Sequence, residues 1–337
     1  MTRHPRFTRL ALLLALFGAI AGALLSAPAG AEAAAAKKKM AMIMPGTIQD
    51  ADFNTLGYVA MQELAKAYDL QVSHSENVAV ADAERISREY LAAGYDIIAY
   101  HGGQYPTIMA KLAAQFPQAS FIQEASGRLP NLPANAWNIG RKFYQGFYVL
   151  GALAALTTKS NKVGLVGGVP LPDVIASTYS VRQALKEYNP KAQFIWNHIG
   201  DFNDPVKARQ SAETQIREGV DFIVCWVNLG VSGVVEAAKA SSKPVLLTTF
   251  YTEKWDLAPK QFTVSLTFDF TKPYKEIVGR ILKGERTGYY EMRPGSGIEL
   301  SDIRNVPPDV AAKVRGIFKE VVAGKALQEV TDKKALE

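Results

Sequence analysis

Three stretches of this chain recur at an almost fixed spacing. Lys162-Val163-Gly164-Leu165-Val166-Gly167-Gly168 echoes the apolar run that begins at Lys39. Phe194-Ile195-Trp196 echoes Leu70-Gln71-Val72, and Gly219-Val220-Asp221-Phe222-Ile223-Val224 echoes Gly94-Tyr95-Asp96-Ile97-Ile98-Ala99. The offsets are 123, 124 and 125 residues (162 against 39, 194 against 70, 219 against 94). A repeat of that length is too long for one supersecondary unit and matches a duplicated half-domain. Within each half, short apolar runs alternate with helical periodicity: Ala81–Ala93 closed by Gly94, then Tyr105–Phe116, Phe143–Leu156, Thr271–Leu282 and Pro308–Val322. A βαβα order of this kind predicts parallel sheet with helices on both faces. The expected fold is α/β: two similar lobes, residues 38–140 plus 265–337 and residues 141–264, joined by a hinge of several crossovers.

The amino terminus reads as a targeting segment. Arg3, Arg6 and Arg9 precede an apolar run from Leu10 to Leu25, and Ala29-Gly30-Ala31 offers small residues for cleavage after Ala31, with Ala33 an alternative. The run is short for a membrane span, and no cysteine near the cleavage site offers a lipid anchor. Export to the periplasm is expected. Removing residues 1–31 takes three arginines with it, so the formal charge falls from +6 to +3. The remaining basic residues are scattered, which gives no nucleic-acid footprint. The single cysteine, Cys225, sits in the apolar run Asp221–Trp226 and reads as a buried inert thiol. Histidines 4, 74, 101 and 198 are far apart, with no metal-ligand spacing, and no cofactor is expected.

The stretch Asp50-Ala51-Asp52-Phe53-Asn54 follows the first apolar run (Met40–Met44, broken by Pro45-Gly46) and opens a segment of helical spacing to about Tyr68. Asn54 or Asp52 suits a helix cap. In an open α/β sheet the loops at the carboxyl ends of strands line the ligand crevice. Phe53, an apolar ring flanked by acceptors, suits a flat, hydrogen-bonding ligand such as a heteroaromatic base; as a hydrophobic staple it would pack on its own helix instead. Export, two sheets and no evident catalytic group point to a solute receptor that closes about its hinge on a ligand.

These residues resemble the basic membrane protein family of substrate-binding proteins, which have the type I periplasmic binding fold. Asp50–Asn54 resembles the family's Asp-x-Ser-Phe-Asn motif, with Asp52 standing where most members have Ser or Gly. Asn138–Phe147 resembles its first-crossover segment, and Lys162–Gly168 its Lys-Val-Gly-x-Val-Gly-Gly strand. Pro170-Leu171-Pro172-Asp173-Val174 and Tyr188-Asn189-Pro190 are similar to the branch that binds purine bases. The resemblance implies a monomeric receptor for a purine base or nucleoside that serves an ABC-transporter permease, with Phe53 stacking on the base and Asp50 as the matched acid.

A purine needs an aromatic face and in-plane donors and acceptors. Asn54 lies beside Phe53. The loop His101-Gly102-Gly103-Gln104-Tyr105 supplies His101, Gln104 and Tyr105, and its counterpart in the second half supplies Asn228. Tyr251 and Trp255 are candidates for an opposite aromatic wall, Asp269 for an acceptor, and Phe143 for a contact at the first crossover. Each has a plainer role: capping for Asn228 and Asp269, packing for Trp255 and Phe143, a satisfied loop histidine for His101. A hydrolase or nucleosidase using Asp50 and Asp52 as paired acids is the rival reading, and a ligand sensor for a membrane kinase is another. Gly230-Val231-Ser232-Gly233 lacks the spacing of a nucleophile elbow, and Gly164–Gly168 is neither a dinucleotide fingerprint nor a phosphate loop.

Overall fold

The computed structural model describes residues 37–336; the expected signal segment lies outside them. Strand β1 (Lys39–Ile43) leads to α1 (Phe53–Tyr68). There follow β2 (Gln71–Ser75), α2 (Val80–Ala92), β3 (Ile97–Tyr100), α3 (Pro106–Gln115), β4 (Ser120–Ser126) and β5 (Ala136–Arg141). Helix α4 (Phe143–Thr157) carries the chain to β6 (Lys162–Gly167), α5 (Pro172–Tyr188), β7 (Gln193–His198), α6 (Pro205–Arg217), β8 (Phe222–Trp226), α7 (Val231–Ala240), β9 (Leu246–Tyr251) and β10 (Phe262–Phe268). The chain ends with α8 (Thr271–Leu282), β11 (Gly288–Pro294), β12 (Gly297–Leu300) and α9 (Pro308–Val322).

The strands form two sets of matching order. The first runs β2-β1-β3-β4-β5-β11 and is parallel throughout. The second runs β7-β6-β8-β9-β10, also parallel, with β12 antiparallel on β10. β1 between β2 and β3 therefore corresponds to β6 between β7 and β8, which is the duplication read from the sequence. The sets are not separate in hydrogen bonding, as two independent sheets would be. β11 and β12 pair through Arg293–Gly297 and Pro294–Ile298, which links all twelve strands in one order.

Three strands escape the sequence reading. β5 and β11 are mixed in polarity, and β12 is a four-residue segment after a tight reversal. β10 pairs with β9 and β12 rather than returning to the first set; the return is made by α8, which packs on α1. The central strands of both sets are buried along their length and read as unbroken apolar runs, as expected of parallel sheet covered on both faces. α4 is apolar all round, with Phe143, Phe147, Tyr148, Leu150 and Leu153 buried. Such a helix belongs inside a core, and one apolar cluster runs from Met40 and Met42 through α4 to Leu165, Val224 and Leu266. Cys225 is buried in β8, and burial pushes its thiol up to about 12, so it stays protonated and unreactive. Among the described residues no helix is long and apolar enough to cross a membrane.

Candidate functional site

A cavity of about 430 Å³ lies where the carboxyl ends of strands from both sets approach each other. Its size is that of a small-molecule site. Phe53 and Asn54 open α1 just after the loop that follows β1, and Gln104 comes from the loop after β3. Trp226 ends β8 and Asn228 follows it, Val169 comes from the β6–α5 connection and Asp173 from the first turn of α5, and Arg141 and Tyr251 come from the ends of β5 and β9. A second hollow of about 550 Å³ is lined only by residues of β7, α6 and their immediate neighbours, all from one strand set, and lacks this convergence.

The Phe53 loop is built around Asp50. Its carboxylate accepts from the backbone N–H groups of Asp52 (2.9 Å), Asn54 (3.0 Å) and Thr55 (3.1 Å), from Asn54 Nδ2 (2.7 Å) and from Thr55 Oγ1 (3.1 Å). Asp50 therefore caps α1; neither Asp52 nor Asn54 does so. Fully buried, it faces the helix start and not the cavity. Asn54 reaches the cavity with both ends of its amide engaged, Nδ2 on Asp50 and Oδ1 accepting from Gly46 N–H (3.2 Å).

His101 is a support for Phe53, one layer behind the cavity. The rings stack at 4.0 Å with 15° between their planes, and His101 Nε2 donates to the Phe53 carbonyl (2.7 Å). His101 Nδ1 meets Glu124 Oε1, which also accepts from Tyr274 O–H (2.6 Å). The arrangement requires Gly57 on α1: a Cβ there would stand 2.5 Å from the imidazole. With one face covered by His101, only the opposite face and the rim of Phe53 are available to a ligand.

Arg141 sits at the cavity beneath Gly103, where a Cβ would come within 2.7 Å of its Nη2. It is 5% exposed, with Nη2 2.9 Å from Asp173 and Nη1 3.8 Å from Glu124. Burial works against its charge, but the two carboxylates outweigh burial and hold the guanidinium pKa above its ordinary value. The far wall is aromatic. Trp226 stacks on Phe147 (5.3 Å, 15°) and meets Phe250 (4.6 Å) and Phe202 (5.6 Å). Tyr251 takes φ 66°, a strained value for a bulky residue. Its ring lies 5.7 Å from that of Phe53.

The same turn sends Thr252 and Lys254 back to Asp52, whose Oδ1 accepts from Thr252 Oγ1 (3.0 Å) and from Lys254 Nζ. This joins the α1 start to the end of β9 by a buried ion pair. The Asp52 carboxyl is raised from 3.8 to about 6, chiefly by burial, with Lys254 pulling it down. A pKa raised on folding favours the folded state most below pH 4, and that contribution is lost as pH rises toward 6. For Asp52→Asn, melting curves should therefore show the variant gaining on wild type between pH 4 and 6. A constant difference across that window would refute the assignment.

Five of the residues singled out from sequence line the cavity: Phe53, Asn54, Gln104, Asn228 and Tyr251. Six do not. Asp50 and His101 stand behind it. Tyr105 is fully buried, its hydroxyl donating to Val78 O (2.6 Å) in the core below α2 and α3. Phe143 is buried in α4, with the Arg141 guanidinium 5.2 Å from its ring. Trp255 lies outside, its indole N–H on Glu253 and its face against Arg304. Asp269 caps α8, accepting from Thr271 N–H (2.9 Å). Sequence reasoning passes over Arg141, Asp173, Trp226 and Phe202 as site residues. Among the described residues no group of three or more His, Cys, Asp or Glu is placed to hold a metal.

A doubly wound α/β fold with two strand sets and a cavity at their facing carboxyl ends defines a protein of the type I periplasmic binding class. The chain belongs to the family described as ABC transporter substrate-binding protein PnrA-like, matched over residues 37–293. Proteins of this family bind small molecules outside the cytoplasm and present them to a permease. A CD4+ T-cell-stimulating antigen of Listeria monocytogenes is 25% identical over 304 residues, covering 83% of this chain and 84% of that one. A purine-binding protein of Brucella abortus is 32% identical over 209 residues, 60% of this chain and 57% of that one. A solved ABC transporter solute-binding protein of Conexibacter woesei aligns with a TM-score of 0.68 at 25% identity, covering 86% of this chain and 98% of that one.

Proposed function

We propose that this protein is the periplasmic receptor of an ABC importer and binds a purine base or nucleoside in the cavity between its two strand sets, without catalysis. The lobes would be organised around β1–β5 with β11 and around β6–β10 with β12, acting as a monomer. Ligand touching both would favour closure by its differential affinity. The observation that carries the reading is Phe53: a ring held by His101 on one side and presented to a cavity walled by Trp226 and Tyr251. Gln104 and Asn228 add amides able to donate and accept in the plane of a base. The purine-binding relative from Brucella abortus supports the ligand class.

The hydrolase alternative loses its residues. Asp50 is occupied by five donors, Asp52 is held through Oδ1 by Lys254 and Thr252, and neither lines the cavity. Calorimetric titration with purine bases, their nucleosides and unrelated amides tests the proposal. One-to-one binding of a purine, recovered chemically unchanged, is expected. Binding of another solute class with no response to any purine would refute it.

A further inference from the structure

The cavity holds a buried charge that a neutral aromatic ligand does not by itself explain. Arg141 is positioned by Asp173 and Glu124, yet its donors are incompletely used. Nε has no hydrogen-bond partner, and Nη1 is 3.8 Å from its nearest carboxylate oxygen, beyond hydrogen-bond reach. Buried donors left unpaired are costly; with Nε enclosed, the capacity for an acceptor lies at the Nη end of the fork. Asp173 is the partner that orients the fork: Oδ2 faces Arg141 Nη2 at 2.9 Å, and Oδ1 accepts from Val174 N–H (3.1 Å). Of the cavity amides able to read an adenine edge, Asn54 is tied to Gly46 and Asp50. Two carboxylates around one guanidinium also remove the net positive charge a phosphate would need, which argues against nucleotides.

Geometry brings this donor to the ligand. The Arg141 Cζ lies 5.7 Å from the Phe53 ring centroid. A base lying about 3.5–4 Å from that ring would be within reach of the guanidinium, which stands over the same ring. A guanidinium fork pairs with two adjacent acceptors, such as O6 and N7 of a 6-oxopurine; adenine offers an amino group in place of O6.

Resting on the purine reading above, we propose that Arg141 is the specificity-determining residue of the cavity and selects 6-oxopurines over 6-aminopurines. Hypoxanthine and adenine, which differ at the position-6 group and the N1 proton, are the matched probes. Calorimetry on the full protein should find hypoxanthine bound at least roughly tenfold more tightly than adenine, the scale of one bidentate contact. Arg141→Lys keeps the charge opposite Asp173 but loses the fork, and should reduce that ratio to about threefold or less, with circular dichroism confirming the fold. Adenine binding as tightly as hypoxanthine to the wild type, or a full ratio retained in Arg141→Lys, would overturn the assignment of Arg141 while leaving a purine receptor. Binding of neither base nor of any other purine would overturn the purine reading and this inference with it.

Discussion

Replacing Phe53 with alanine should weaken purine binding at least about tenfold, or roughly 1.4 kcal/mol, and should also lower the melting temperature. The first effect follows from loss of the aromatic face that His101 backs at the cavity wall; stacking adds about 0.5–1.5 kcal/mol beyond area burial. The second follows from position. Phe53 is 8% exposed and touches His101, Tyr251 and Phe270. Truncating a phenylalanine so placed costs up to about 3–5 kcal/mol in a closed core, and less here because one side already faces the cavity. Phe53→Leu separates the two effects: it keeps most of the apolar volume but no π face, so stability should largely return while affinity stays reduced. Calorimetry and thermal melting on the same preparations read both. An unchanged affinity in Phe53→Ala would remove this ring from the ligand site.

What was legible in the sequence divides along physical lines. The duplication was legible because buried parallel strands are written as apolar runs, as β1 and β3 and their counterparts β6 and β8 are, and because the half-exposed β2 and β7 keep nearly the same spacing. β5 was not, because Ala136-Trp137-Asn138-Ile139-Gly140-Arg141 mixes apolar, polar and charged residues, although all six are buried. Asn138 is satisfied by Leu129 N–H and Gln123 O, and the charge of Arg141 is countered by carboxylates far away in sequence. Missing β5 hid Arg141, since the rule that ligands lie at strand carboxyl ends would have pointed to it. The rule did pick out Phe53, Asn54, Gln104, Asn228 and Tyr251, which line the cavity. It chose too many residues in the loop after β3, where successive side chains part: His101 goes under α1, Gln104 to the cavity and Tyr105 to the core. Asp173 had no local sign of its partner, because an ion pair between positions 141 and 173 exists only once β5 and α5 are brought together.

The other large effect is expected at Asp50, a residue that never meets the cavity. The carboxylate gathers three backbone N–H groups at the start of α1, an amide and a hydroxyl, all in a buried setting. Ala51 at φ 58° holds the turn that allows this wrapping. Charge-assisted hydrogen bonds contribute about 1.5–3 kcal/mol each when measured singly, and helix caps about 0.5–2 kcal/mol. The bonds share one group, so they do not sum. Asp50→Ala should cost roughly 2–4 kcal/mol, read as a fall in melting temperature of about 5 °C or more for a chain of this size. Asp50→Asn retains one acceptor oxygen and should fall between. Because the same carboxylate fixes Asn54 and the first turn that carries Phe53, affinity for the ligand should drop with stability in both variants, in the same order. A variant that melts early yet binds as tightly as wild type would show that the loop finds its shape without Asp50, and that Phe53 is positioned by His101 alone.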